Sequence, residues 1–184
     1  MLAERIGSSQ FAEMSAQGAS VVSSLRPTEL PRLREVIARR PDVPDEPLEV
    51  SVGFAMGPES FPVVQLRVTG TIYLTCQRCL APVSWPLDLD VALTAVASDE
   101  MADELADPFD SVVLDKEGGL ALRAAVEDEI LAALPLAALH GDGAGCGSAC
   151  PEIEASDENP QRKVNMPFAD LGTLMRRDGR DDKS

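Results

Sequence analysis

Leu48-Glu49-Val50-Ser51-Val52-Gly53-Phe54 alternates apolar with polar or small residues without a break. Successive side chains leave a strand on opposite sides, so this run reads as a β-strand with one buried face. Beyond a turn at Gly57 and Pro58 a longer run repeats the pattern. Val64, Leu66, Val68, Ile72 and Leu74 share one face, and Gln65, Arg67, Thr69, Thr71, Tyr73 and Thr75 share the other. Gly70 falls in phase with the apolar set, which predicts a bulge or bend where a long strand curls over a core. After a turn around Gln77 to Pro82, a third run turns Trp85, Leu87, Leu89, Val91 and Leu93 inward and Ser84, Asp88, Asp90 and Thr94 outward. Three such strands in succession predict an antiparallel meander. Their common apolar face needs a cover.

Working outward, the cover is a helix predicted over 120 to 134, where Leu122, Val126, Ile130, Ala133 and Leu134 form a stripe. Gly118 and Gly119 precede it and Pro135 stops it. Between sheet and helix lie an acidic, methionine-bearing loop from Ser98 to Asp110 and a short strand at Ser111 to Leu114. Upstream, Leu30, Leu33, Val36 and Ile37 predict an amphipathic helix over Thr28 to Arg40 with its arginines in water. Pro41 ends it, and three prolines in the seven residues from Pro41 to Pro47 make an extended connector. The expectation is an α+β fold: a twisted antiparallel β-sheet meander, partly barrel-like, with its core at 48 to 97, covered by one or two helices and followed by a loop-rich C-terminal tail. A single domain is expected over 1 to 177, with a flexible loop at 141 to 161, a last helical turn around Phe168, Leu171 and Leu174, and a disordered tail at 178 to 184.

The chain has 184 residues, with 16 Lys and Arg against 31 Asp and Glu, giving a net charge of −15 and a pI near 4.3. Affinity for phosphate comes from Lys and Arg releasing counterions, so this charge works against non-specific nucleic-acid binding and favours a basic protein as partner. Aromatics are only 4% of residues, which argues against an aromatic platform for RNA. The charge is uneven. Arg26 to Arg40 carries a local balance of +3, whereas Asp88 to Glu129 carries −11. The longest apolar run, Ile130 to Leu139, is ten residues and contains Pro135, too short to cross a membrane. The first twenty residues hold Glu4 and Glu13 and do not read as a secretory signal. A cytoplasmic location is therefore expected, and with it cysteines used as thiols or metal ligands rather than as disulfides.

Four cysteines carry the sharpest chemical signal. Cys76-Gln77-Arg78-Cys79 sits at the tip of the hairpin between the two best-patterned strands, where two thiolates can converge as half of a tetrahedral zinc site. Cys146 and Cys150 are candidates for the other half, and His140, the single histidine, is a spare ligand. The competing reading makes Cys76 a small buried hydrophobe and the later pair ordinary loop. A thioredoxin-like dithiol would need a helix after the first cysteine, and strands flank this motif. There is no glycine-rich phosphate loop and no Gly-x-Ser-x-Gly, and one histidine leaves little for acid–base work. Glu127, Asp128 and Glu129 are adjacent on a helix, so they point about 100° apart and do not converge on a cation.

The residues that remain distinctive are Cys76-Gln77-Arg78-Cys79, the block from Val126 to Pro135 followed by His140, and Met166-Pro167-Phe168-Ala169-Asp170-Leu171. In that order and spacing the chain resembles the YceD family over most of its length, from about Thr28 to Arg177. The resemblance implies a non-enzymatic ribosome biogenesis factor, needed for processing, stability or accumulation of large-subunit (23S) ribosomal RNA. It would act by binding a basic large-subunit ribosomal protein or pre-ribosomal RNA. The family's marks fall on Cys76, Gln77, Arg78, Cys79, Glu127, Asp128, Glu129, Leu134, Pro135, His140 and Phe168. One departure is Met166, which stands directly before Pro167 where family members often carry Asn. On this reading the acidic helix and loop, with Gln77 and Arg78, dock the basic partner, while Arg32, Arg34, Arg39 and Arg40 offer a second contact to RNA. The rival is an enzyme, either a Cys-x-x-Cys thiol redox protein or a metal-assisted RNA hydrolase.

Overall fold

The computed structural model describes residues 2–57, 60–104, 110–141 and 146. The chain divides into two units, Met1–Cys150 and Pro151–Ser184, and every described residue falls in the first. Most of the loop expected at 141 to 161, the turn around Phe168 and the tail at 178 to 184 lie outside the described residues.

The fold is mixed α+β. Helix α1 (Ser8–Gln17) leads into β1 (Ser20–Leu25); a 3-10 turn (Pro27–Glu29) and the short α2 (Leu33–Val36) follow. Then come β2 (Leu48–Met56), β3 (Pro62–Thr75), β4 (Pro82–Val96), α3 (Asp99–Glu104), β5 (Asp110–Val113) and α4 (Leu122–Ala132). The five strands form one open sheet in the order β1-β2-β3-β4-β5. The three strands expected from alternation are present and antiparallel, but β5 joins β4 in parallel, and β1 and β5 are not paired with each other. The meander of β2, β3 and β4 is thus antiparallel as expected, β5 adds a parallel strand, and the sheet is open among the described residues. Thr94, expected outward, is buried where β5 pairs alongside it.

Alternation works as the sequence requires. Val64, Leu66, Val68, Ile72 and Leu74 of β3 and Leu48, Val50, Val52 and Phe54 of β2 are all buried. They share one cluster with Phe11 of α1, Leu30 and Leu33 around α2, and Leu122, Val126 and Ile130 of α4. Each such side chain contributes about 1.5–3 kcal/mol through the apolar surface it removes from water. Phe11 meets Phe54 edge to face with ring centroids 6.0 Å apart. At Gly70 no bulge forms, since β3 and β4 keep one register from Val63↔Thr94 to Thr75↔Pro82. The glycine is needed for another reason: a Cβ there would stand 2.6 Å from Leu48 Cδ2, and its φ is +150°.

The helix expected over Thr28 to Arg40 is shorter, a 3-10 turn and one turn of α2, because the chain then leaves to lie beside β3. Ile37 bridges Leu74, and the Ala38 N–H donates to the Tyr73 carbonyl at 2.7 Å. What holds α2 is Glu127 of α4. Its carboxylate, only 3% exposed as a residue, accepts hydrogen bonds from the backbone N–H of Arg32 at 2.6 Å, the backbone N–H of Leu33 at 3.0 Å and Arg32 Nε at 3.1 Å. Burial alone would raise its pKa; the hydrogen bonds from Leu33 and Arg32 outweigh that and hold it below the usual carboxylate range. A depressed pKa stabilises the fold fully above the unfolded value of about 4.3, and that stability is lost as pH falls through the folded value. Glu127→Gln is expected to cost about 2–3 kcal/mol at neutral pH and to flatten the loss of stability on the acid side, measured by urea unfolding across the pH range.

Candidate metal centre

The tip of the β3–β4 hairpin is a tight turn built by its own backbone. The Leu80 N–H donates to the Cys76 carbonyl at 2.9 Å, and the Cys76 N–H donates to the Ala81 carbonyl at 2.9 Å. Leu80 takes the left-handed conformation, φ +59°, where a leucine is strained. This bend turns both cysteine side chains toward one point. After α4 the chain returns to the same place, and the Gln77 N–H donates to the Ala138 carbonyl at 2.9 Å. His140 and Cys146 then complete a cluster.

Four donor atoms, from Cys76, Cys79, His140 and Cys146, all lie within 4.8 Å of one another. Cys76 Sγ is 3.7 Å from Cys146 Sγ, and Cys79 Sγ is 3.4 Å from His140 Nδ1. A tetrahedral zinc ion, with bonds of about 2.3 Å to sulfur and about 2.0 Å to nitrogen, requires S–S edges of about 3.8 Å and S–N edges of about 3.5 Å. The spacing therefore fits zinc. The histidine is also oriented for it: Nε2 lies 3.1 Å from the Pro82 carbonyl, so the proton on Nε2 donates there and the Nδ1 lone pair faces the sulfurs. Cys76 and Cys146 are buried, and Cys79 and His140 are half-buried.

The electrostatics favour a thiolate at Cys76. Its pKa is lowered chiefly by the backbone N–H of Cys79, against burial, with further help from the N–H groups of Arg78 and His140 and from the His140 ring. The thiol of Cys146 moves the opposite way, raised by burial and by its neighbours Cys79 and Cys76. Three sulfurs this close need a cation before all can be ionised.

Three of the four expected cysteine ligands are thus brought together across about 70 residues, Cys76 and Cys146 being 70 apart in sequence. Cys150 and Phe168 lie outside the described residues, and among the described residues the fourth donor is His140. Gln77 and Arg78 stand exposed on the turn. Leu134 and Pro135 line a small hollow of about 290 Å³ with Gln77, Leu80 and the fully exposed Leu136. Members of the two charged sets read as partner-binding bind each other. Arg32 pairs with Glu127 at 3.1 Å and with Asp128, so Arg32 and Glu127 serve the fold. The stripe reading missed this because it tracks apolar residues, and a buried carboxylate breaks that pattern. Asp128 is exposed and Glu129 half-buried, while Arg34, Arg39 and Arg40 are exposed.

The site is thus that of an α+β domain whose hairpin tip gathers three thiols and an imidazole from distant parts of the chain. This chain belongs to the YceD family, whose model, described as Large ribosomal RNA subunit accumulation protein YceD, matches residues 64–175. That range contains all four donors of the cluster and Glu127. Among curated proteins the chain is similar to the Large ribosomal RNA subunit accumulation protein YceD of Haemophilus influenzae (strain ATCC 51907 / DSM 11121 / KW20 / Rd). The two are 29% identical over 126 residues, which is 68% of this chain and 72% of the relative. No solved structure matches.

The strained turn yields its own expectation. Leu80→Gly should leave the melting temperature equal or higher, whereas Leu80→Val should cost about 1–2 kcal/mol, because a β-branched residue tolerates positive φ least. Equal stability of the two variants in thermal melts would contradict the assigned turn.

Proposed function

We propose that this chain is a non-enzymatic cytoplasmic factor that promotes accumulation of large-subunit ribosomal RNA by binding, with zinc held structurally by Cys76, Cys79, His140 and Cys146. The observation that carries the non-catalytic reading is the closed donor set. Three sulfurs and one nitrogen within 4.8 Å of one another would fill a tetrahedron around zinc and leave no position for a reacting water or substrate. Ribosomal RNA enters through the family and through the name of the Haemophilus influenzae relative. No helix among the described residues is long and apolar enough to cross a membrane.

Zinc here would act as a staple. It would fasten the segment from Leu134 to Cys146 onto the hairpin tip and fix the exposed group of Gln77, Arg78, Leu80 and Leu136 as a contact surface. The net charge of −15 supports a basic large-subunit ribosomal protein as the direct partner. With Glu127 committed to the fold and Asp128 paired with Arg32, its docking falls to the outward acids of α3, Asp99, Glu100, Asp103 and Glu104.

Protein purified without chelator should contain about one zinc per chain, and Cys76→Ser or Cys79→Ser should lose it. A reversible dithiol without tight metal would favour the thiol redox reading instead. Calorimetry should show binding of a basic large-subunit ribosomal protein at physiological salt. Charge reversal of Asp99, Glu100, Asp103 and Glu104 together should weaken it about tenfold or more, mainly through the association rate. Absence of binding by the wild type, or undiminished binding by the reversed protein, overturns the partner assignment.

A further inference from the structure

β3 outruns its neighbour on one side. Pairing with β2 ends at Glu49↔Thr69, and the edge beyond it is met by the segment from Ile37 to Asp45, which touches down at Leu74 and Tyr73. The gap between them is a hollow of about 390 Å³. Its walls are largely apolar, drawn from Pro27, Ile37, Val43, Pro44 and Ile72, with the single tyrosine of the chain, Tyr73, and both Arg39 and Arg40 on its lining. We propose that this hollow receives one nucleotide of a single-stranded RNA, the base against the apolar wall beside Tyr73 and the phosphate on Arg39 and Arg40.

Size, surface and charge agree. Ligand pockets run from about 300 to 1,000 Å³, and a base with its ribose fills the lower end of that range. A base needs a flat apolar or aromatic face, which Tyr73 and the prolines supply, and stacking on such a face is tolerant of sequence. The arginines are available. Arg39 donates through Nε to the Arg34 carbonyl, and no acid pairs with it among the described residues. Arg40 pairs with Asp42 at 3.4 Å, but both side chains are more than half exposed, and such a surface pair is weak beside a phosphate contact. Thr28, Thr71 and Asp45 add polar groups, Asp45 being already held by the Thr28 hydroxyl at 2.6 Å. An acidic peptide would use the arginines and leave the apolar walls wet, which is why a nucleotide fits better.

The inference rests on the reading above only in taking RNA as the neighbour. It is tested by fluorescence anisotropy with the intact protein and a labelled single-stranded RNA of about ten nucleotides, a length that fills a typical single-strand site. Saturable binding is expected that weakens with salt, that falls about tenfold or more in Arg39→Glu/Arg40→Glu, and that falls about fivefold or more in Tyr73→Ala. Tyr73→Phe, which keeps the ring, should bind like wild type, and all variants should stay folded, with cooperative melting and wild-type zinc content. No binding by the wild type, or equal binding by the variants, overturns the proposal. So does equal binding of an RNA duplex, which would mean charge alone. Competition by a free mononucleotide as strong as that of the RNA would make it a free-nucleotide site, and equal competition by polyglutamate would make it a site for an acidic protein. A wild type that binds the ribosomal protein but no RNA removes the hollow from the account and leaves the proposed function standing.

Discussion

The buried carboxylate of Glu127 is the contact on which the placement of α2 against α4 depends. It takes the backbone N–H of Arg32, the residue just before α2, and of Leu33, the first residue of α2, and the guanidinium of Arg32 besides. A helix of one turn has no internal cooperativity to hold it, so its place is set from outside. With α2 fixed against α4, Ile37 and Ala38 reach the free edge of β3, and the wall of the hollow opposite Tyr73 is in position. On the other side of the same pin, α4 is oriented so that the chain leaving it passes Leu134 and Pro135 on its way to the hairpin tip. Hydrogen bonds to a charged acceptor are the strong kind, and this acceptor cannot be released without leaving donors unpaired.

The hairpin tip shows why those attachments are needed. From Gly70 onward β3 is paired to β4 alone, and a two-stranded ribbon extending past its sheet is marginal in water. It is secured by the burial of Ile72, Leu74, Val83 and Leu87 in the core, by the bridge at Ile37 and Leu74 along one edge, by the hydrogen bond from Gln77 to Ala138 at the turn, and by the cluster of Cys76, Cys79, His140 and Cys146 at the tip. A metal in that cluster would tie residues 70 positions apart, and because the unfolded chain holds no such site, its binding free energy would add to that of folding. The strain at Leu80 belongs to the same economy. It is tolerated because the turn that carries it brings Cys79 to the histidine.

Legibility followed the strength of periodic pattern. β2, β3 and β4 were readable because two-residue alternation runs unbroken through each, and α4 because a 3.6-residue stripe bounded by Gly119 and Pro135 allows little else. α1 and β1 passed unseen, since Ser8–Gln17 buries only Phe11 and Ser15 and the edge strand Ser20–Leu25 buries only Leu25. Gly18 was the available signal: it sits left-handed after the last turn, and the Ala19 N–H bonds back to Met14, the helix-ending arrangement that glycine permits. The parallel placement of β5 carries no local signature, because pairing direction is settled by where the connection returns. At the cluster, Cys-x-x-Cys spacing was legible and His140 identifiable only as a spare, since which loop returns to the hairpin is a property of the tertiary fold.

The distribution of charge gives the acidic composition a second meaning. Of the arginines between Arg26 and Arg40, Arg32 is spent on Glu127 and Asp128, and Arg26 lies 4.0 Å from Asp45 and donates to its carbonyl. What stays outward is a narrow rim of Arg34, Arg39 and Arg40, set on a body of net charge −15. A basic surface of that size on a neutral protein would hold any polyanion weakly and without preference. Surrounded by acids, such a rim would offer phosphate one favourable approach and repulsion elsewhere, so on the proposed reading the charge that would draw a basic protein would also confine a strand of RNA to one edge of the sheet. On the two proposals the basic protein and the RNA would meet different residues, the acids of α3 and the pair Arg39 and Arg40, and so would not compete for the same side chains.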